Sequence, residues 1–288
     1  MTRIAVIGLG TMGGRIAARL MSQGHDVWGT NRTKTKAHAL IERGMHWCDT
    51  PRQAAEVADV VISMVTNGEA LEAITSGPDG ILAGLRPGAV YLDMSTVGPE
   101  TSRDLADKVA ATGASMLAAP VSGSVSAVEE GSLAIIVGGN ADVFAKVEPI
   151  LRQLGTQITV VDDAAQALLI KQAINISLAV QMLAFSEGVL LAERGGVDRD
   201  VAIDALTSSA IGSPMLKARA ALVRELPDQA WFDVRLMQKD IRLALESGGQ
   251  LGVPLPSTRV ADDLLTAAAT LGYEHRDIAV MFRVLSEL

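Results

Sequence analysis

An α/β fold, with a mostly parallel, doubly wound sheet ahead of an all-helical C-terminal domain, is what this sequence predicts, on three observations. Strand-like apolar runs alternate with amphipathic stretches as far as Val161. After Asp162-Asp163 only helical patterns of comparable strength follow. The first strand candidate runs straight into Gly8-Leu9-Gly10-Thr11-Met12-Gly13 and then into a helix-like stretch, Gly14 to Met21.

Taken in order, the strand candidates are Ile4–Ile7, Val27–Thr30, Val60–Val65, Val90–Asp93, Ser115–Ala118, Leu133–Val137 and Ile158–Val161. Amphipathic stretches such as Pro51–Val57, Pro99–Ala111 and Ala141–Leu154 separate them, and Gly, Pro and Asn mark the turns between. From Ala164 to Glu193 the chain reads as one long helix stopped by Gly195-Gly196. Lys171, Gln172, Asn175, Gln181 and Glu187 interrupt its apolar run, so a buried helix between domains is the better reading than a membrane span. Further helices are expected over Asp198–Ser208, Pro214–Glu225, Phe232–Ser247, Ser257–Leu271 and His275–Leu288, with Ser213 and Pro214 as cap and first residue of the second. The expected domains are 1–163 and 164–288, and a chain of 288 residues has length for both.

The glycine spacing is weak evidence alone and strong between a strand and a helix. Gly8 permits the tight turn, Gly10 lets backbone approach a pyrophosphate, and Gly13 lets the helix pack on the strand. N–H groups at the helix start then hold the phosphate. This is the fingerprint of a Rossmann-type dinucleotide site, to which Leu9, Thr11 and Met12 also belong. A NAD-preferring site places an acid about 20 residues on, to bind the ribose 2′-hydroxyl. Here Asn31-Arg32-Thr33 stands at that place, and a guanidinium matches phosphate oxygens, so NADP(H) is favoured over NAD(H). The plainer reading of Arg32, Lys34 and Lys36 is a solvated basic helix start.

Composition narrows the classes. A net charge of −8 implies no general nucleic-acid surface, and 49% hydrophobic residues fit a well-buried core. The start MTRIAVIGLG lacks signal-peptide regions, and no membrane anchoring is expected. Cys48 is the only cysteine, which excludes a disulfide within the chain and fits a reducing cytoplasm. The four histidines show no metal-ligand spacing, so no metal is expected.

Lys171 is the most informative charged residue. Its surroundings, Leu168-Leu169-Ile170 and Gln172-Ala173-Ile174, are apolar or uncharged. Buried there, its ammonium would be disfavoured and could exchange a proton near neutral pH. On the helix alone, a lysine that snorkels to solvent is the favoured reading. Asn175 lies four residues on, on the same face. Ser95-Thr96 and Ser122-Gly123-Ser124 follow strand candidates, at the carboxyl ends where open α/β sheets bind ligands, though taken by themselves they read as ordinary polar loops.

With the glycine fingerprint, Asp93-Met94-Ser95-Thr96-Val97, Pro120-Val121-Ser122-Gly123-Ser124, Lys171-x-x-x-Asn175 and Gln238-Lys239-Asp240 in this order, the chain resembles the β-hydroxyacid dehydrogenases nearly end to end. Asn31-Arg32-Thr33, the Pro-Val-Ser-Gly-Ser serine and Phe185-Ser186-Glu187-Gly188 look most like the NADPH-dependent glyoxylate/succinic semialdehyde reductase branch. The resemblance implies that Lys171 is the general acid that protonates the carbonyl as hydride arrives, with Asn175 beside it. It implies that Ser122, Gly123 and Ser124 bind the substrate carboxylate, and that Phe232 and Asp240 close the pocket. Thr96 would lie at the nicotinamide, Lys239 on the cofactor side, and Met64 and Val65 in the cofactor-binding set. It further implies a homodimer formed through the helical domain.

Four departures bear on the substrate. Ala165-Gln166-Ala167 stands where the family usually has G-x-G, Ala119 where an acid is common, and Ile174 where the first of two asparagines is common. The expected function is NADPH-dependent reduction of a small carboxylated aldehyde. The alternatives are a 3-hydroxyisobutyrate-type dehydrogenase, an imine reductase, and a non-catalytic NADP(H)-binding protein.

Overall fold

The computed structural model describes residues 2–288, which divide into two compact units, the first running to Lys171 and the second 172–288. In the first unit the chain runs β1 (Arg3–Ile7), α1 (Thr11–Ser22), β2 (Asp26–Thr30), α2 (His38–Glu42), β3 (His46–Trp47), α3 (Pro51–Val57), β4 (Val60–Ser63), α4 (Gly68–Thr75) and α5 (Ile81–Gly84). It continues through β5 (Val90–Asp93), α6 (Pro99–Ala110), β6 (Ser115–Ala118), β7 (Val121–Ser122), α7 (Val125–Glu130), β8 (Leu133–Gly138), α8 (Ala141–Leu154) and β9 (Gly155–Val161). The strands form one sheet of order β3-β2-β1-β4-β5-β6-β8-β7, with β9 beside β8. All pairings are parallel except those of β8 with β6 and β7.

Burial follows from the strand sequences. β1, β4 and β5 are apolar almost throughout because helices cover both faces, leaving no solvated side to alternate toward. The sequence predicts β1, β2, β4, β5 and β6 of the parallel stretch, and β8 and β9 beyond it. It does not predict the two-residue strands β3 and β7, since neither is long enough to show a period. Val60–Val65 stops at Ser63, where the chain turns.

The sheet order reverses at β1 and β4. β1 is followed on one side by β2 and β3, and the chain then returns to lay β4 on the other side. This is the switch point at which open α/β sheets form ligand crevices. In register, Ile7 lies beside Thr30 and Ser63, Ser63 beside Asp93, and Asp93 beside Ala118. The loops leaving β1, β4, β5 and β6 therefore emerge side by side on one edge.

α9 (Ala164–Arg194) begins in the first unit and continues into the second, which adds α10 (Arg199–Ser208), α11 (Pro214–Arg224), α12 (Val234–Leu251), α13 (Pro256–Thr270) and α14 (Met281–Glu287). By length and composition α9 could cross a membrane, with a mean hydropathy of 1.6 over its most apolar window. Its buried residues nevertheless recur at helical spacing, and Ala179, Met182, Leu183 and Val189 belong to the apolar core of the second unit.

The last predicted helix is corrected. His275–Leu288 is interrupted by Asp277, whose side chain accepts the Ala279 N–H and caps a 3₁₀ turn, Ile278–Val280, ahead of α14. Likewise α12 starts at Val234 rather than Phe232, because the Asp233 carboxylate accepts the Leu236 N–H and serves as its N-cap.

Candidate active site

The glycine turn is built as the spacing requires. Gly8 has φ +94°, and a Cβ there would lie 2.4 Å from Met64 O. A Cβ on Gly13 would lie 2.0 Å from Gly8 O, so any side chain would push α1 off the turn. Gly10 differs: a Cβ there would meet nothing within 4 Å. Gly10 is also the N-cap of α1 and has no side chain to satisfy the orphan N–H groups of the first turn. That combination, an uncapped 12-residue helix with open space before it, fits a dinucleotide pyrophosphate.

Asn31 braces this turn. Its Oδ1 accepts the Leu9 N–H at 3.1 Å and its Nδ2 donates to Thr33 O at 3.0 Å. An aspartate could reproduce the first bond but not the second, so a neutral amide suits the position. Arg32 and Thr33 follow, both exposed, and Lys34 lies over the Trp47 ring at 5.1 Å. Beside the turn opens a cavity of about 590 Å³ that includes Leu9, Gly10 and Gly14 in its lining. Arg15, Arg19, Lys36 and Arg43 also line it, against one acid, Glu129, which pairs with Arg15 at 3.0 Å. The surplus of positive charge suits a phosphate-rich ligand.

Along the same edge stand Met64 and Val65 after β4, and Ser95 and Thr96 after β5. Ser122 ends β7, and Gly123 (φ +147°) turns the chain where a Cβ would meet Leu133 and Ala127 at 2.8 and 3.0 Å. Ser124 caps α7: its Oγ accepts the Ala127 N–H at 3.4 Å and lies 2.7 Å from Ser126 Oγ. The turns after β1, β4 and β5, with Gly8 to Gly13, Met64, Val65 and Thr96, thus leave neighbouring strands at one edge of the sheet, and Ser122 to Ser124 follow β7.

Lys171 and Asn175 lie one turn apart on the buried side of α9, only 8% and 1% exposed. Lys171 does not snorkel. Asn175 Nδ2 donates to Asp240 Oδ2 at 2.5 Å, and Lys239 Nζ lies 2.6 Å from Asp240 Oδ1. Both oxygens of Asp240 are thereby engaged, and the carboxylate is 2% exposed. Phe232 sits before α12 on a segment held by Asp277, whose Oδ2 accepts the Trp231 and Phe232 N–H groups at 2.9 and 3.0 Å. Arg219 donates to the other oxygen of Asp277 at 2.6 Å.

The alanine departures have a local account. A Cβ on Gly138, which ends β8, would lie 2.8 Å from the Ala167 methyl and 2.1 Å from Asp163 O. The start of α9 packs against β8 at that glycine, so the Ala167 methyl occupies space left by Gly138. Sequence reasoning missed the buried Ser63–Tyr91–Asp93 group and the Arg219–Asp277 pair. An acid closing the apolar run Val90-Tyr91-Leu92 was the signal for the first. Arg219 and Asp277 lie 58 residues apart, and nothing local links them.

Residues 3–162 match the family model described as the NAD binding domain of 6-phosphogluconate dehydrogenase. Residues 165–285 match the one described as NAD-binding of NADP-dependent 3-hydroxyisobutyrate dehydrogenase. Fold and site define an NAD(P)-dependent oxidoreductase acting on CH–OH groups. The 3-hydroxyisobutyrate dehydrogenase of Pseudomonas aeruginosa is 34% identical over 285 residues, covering 96% of each chain. Glyoxylate/succinic semialdehyde reductase 1 of Arabidopsis thaliana is 29% identical over 282 residues, covering 98% of each. The solved structure of Mycobacterium tuberculosis 3-hydroxyisobutyrate dehydrogenase with L-serine superposes with a TM-score of 0.87 at 28% identity, covering 99% of each chain. The chain belongs to the β-hydroxyacid dehydrogenase family, and its activity is that of an NAD(P)-dependent hydroxyacid dehydrogenase.

Proposed function

We propose that this enzyme reduces a small carboxylated aldehyde, of the succinic semialdehyde or glyoxylate type, to the hydroxyacid, using NADPH in the cytoplasm as a homodimer. The observation that carries the reading is Lys171, an ammonium side chain only 8% exposed one helical turn from Asn175. An enzyme of this class needs an acid at the carbonyl oxygen, and a buried lysine is suited to give and recover one proton. The bound reduced nicotinamide supplies the hydride. Lys171 donates its Nζ proton to the carbonyl oxygen as negative charge develops there, and in the oxidative direction takes it back. Asn175, its amide turned by Asp240, helps fix that oxygen. The Ser122 hydroxyl and the backbone N–H groups of Ser122 to Ser124 hold the substrate carboxylate, and Phe232 excludes water. Orientation of the two reactants supplies a large part of the acceleration.

NADP(H) is preferred on this reading because Arg32 follows Asn31 where an acid would repel a 2′-phosphate, and because the cavity beside the glycine turn carries Lys36 and Arg43. The matching model that names NADP-dependent 3-hydroxyisobutyrate dehydrogenase supports it.

A second reading, oxidation of 3-hydroxyisobutyrate, is favoured by the relative at 34% identity that bears that name. It uses the same residues with the proton moving the other way. Loss of NADPH absorbance against glyoxylate, succinic semialdehyde, methylmalonate semialdehyde and a cyclic imine separates these readings. Turnover of glyoxylate or succinic semialdehyde is expected. Turnover of methylmalonate semialdehyde alone selects the second reading, and turnover of the imine alone defeats both.

A further inference from the structure

Beneath the carboxyl ends of β4 and β5, four polar side chains lie among apolar neighbours: Ser63, Tyr91, Asp93 and Ser95, each at most 1% exposed. Their protons can be assigned. Ser63 Oγ donates to Asp93 Oδ1 at 2.7 Å. A hydroxyl has one proton, so the Tyr91 hydroxyl, 2.7 Å from Ser63 Oγ, must donate to Ser63. The Ser95 N–H donates to the same Asp93 oxygen at 3.1 Å. Ser95 Oγ in turn accepts the Val65 N–H at 3.0 Å.

Such a group is a poor way to stabilise a sheet. Apolar residues of similar shape would hold the core as well, without desolvating a carboxylate. What the group does is join two turns. Val65 hangs from Ser95 on one side, and on the other its chain neighbour Met64, whose N–H donates to Ile7 O, lies against the glycine turn. Its carbonyl oxygen lies 2.4 Å from where a Gly8 Cβ would be, and its Cβ is 3.3 Å from the place of a Gly13 Cβ. The chain of contacts therefore runs from Asp93 through Ser95 and Val65 to the phosphate cradle, inside one unit.

We propose that Ser95, oriented by Asp93, is a positioning residue for the dinucleotide: it fixes the Met64–Val65 turn against Gly8 and Gly13. Ser63 and Tyr91 fix Asp93 in turn. The inference rests on the NADP(H) reading of the glycine turn and on no particular aldehyde.

The test is the dissociation constant of NADPH by titration calorimetry, beside thermal unfolding, for wild type, Ser95→Ala, Asp93→Ala, Asp93→Asn and the double variant Ser95→Ala/Asp93→Ala. Ser95→Ala should weaken NADPH binding by about five- to tenfold, the worth of one net hydrogen bond. Asp93→Asn keeps an acceptor for the Ser95 N–H and should recover most of what Asp93→Ala loses. The double variant should bind NADPH about as Asp93→Ala does, because the two residues act along one path. KM for NADPH should rise while kcat at saturating NADPH changes less. If Asp93→Ala does not fold, Ser95→Ala and Asp93→Asn decide. Wild-type affinity in Ser95→Ala, with only a lowered melting point, overturns the inference and leaves the cofactor reading standing. Wild type that binds neither NADPH nor NADH defeats the cofactor reading itself, and the inference with it.

Discussion

The Asn175 amide nitrogen donates to Asp240 Oδ2 across 2.5 Å, joining two residues that stand 65 positions apart. A carboxylate only accepts when ionised, so the atom of Asn175 that faces it must be nitrogen, and the orientation of the amide is settled by its partner. With Lys239 on the other oxygen, Asp240 is better placed to orient two neighbours than to meet a substrate directly.

Asp240→Ala leaves a buried amide and an ammonium without this partner, whereas Asp240→Asn still offers an acceptor to Asn175. Steady-state assays should show kcat/KM falling by roughly 100-fold in Asp240→Ala, on the scale of a lost charged hydrogen bond, and clearly less in Asp240→Asn. Equal losses in the two variants would mean that the negative charge, not the amide geometry, is what matters.

Replacing Lys171 by Met keeps the length and apolarity of its stem and removes the proton. The general-acid role predicts a fall in kcat of about 10²- to 10⁴-fold. NADPH affinity, measured by fluorescence titration, should stay near wild type. A Lys171→Met enzyme that turns over normally would end the general-acid assignment.

Arg219 and Asp277 form an ion pair at 2.6 Å with side chains 9% and 0% exposed. Breaking one side of such a pair costs about 3–5 kcal/mol because the other charge is left buried. Arg219→Met should therefore lower the urea midpoint strongly. Asp277→Ala should also release the Trp231 and Phe232 N–H groups, so substrate KM should rise more in Asp277→Ala than in Arg219→Met. Trp231 emission, recorded in a variant lacking Trp28 and Trp47, would report the loosened segment.

Burial pushes the Tyr91 hydroxyl well above its usual value of 10, and the nearby Asp93 carboxylate adds to the rise. Below pH 10 the phenol is neutral folded or unfolded, and its contribution is intact. Above it the unfolded chain ionises while the folded one holds its proton, so stability falls as pH rises from there. Urea titrations at rising pH should show a steeper alkaline loss in wild type than in Tyr91→Phe, which should also cost about 1 kcal/mol at neutral pH through the lost hydrogen bond. Parallel curves would remove Tyr91 as the source.

Local chemistry by itself determined a great deal of this protein. Apolar runs of four or five residues specified the central parallel strands β1, β4 and β5, because burial on both faces leaves its mark in composition. The glycine spacing specified the turn after β1, because only residues without a Cβ fit beside Met64 O and Gly8 O. The break after Asp162-Asp163 separated a sheet-building half from a helical one, since the period of apolar residues changes there. Lys171 was conspicuous as a cation within the apolar body of a long helix, yet the helix could not say whether it was buried or snorkelled. Tertiary structure decided that, because neighbours far along the chain set exposure. It decided as well that Asp240 meets Asn175, that Asp277 anchors the residues before α12, and that Asp93 serves Ser95. The first two are polar contacts whose strength depends on burial and on an angle between groups distant in sequence, and neither quantity has a period or a motif to read. Asp93 and Ser95 are near neighbours, but the burial that gives their bond its weight is set by the rest of the sheet.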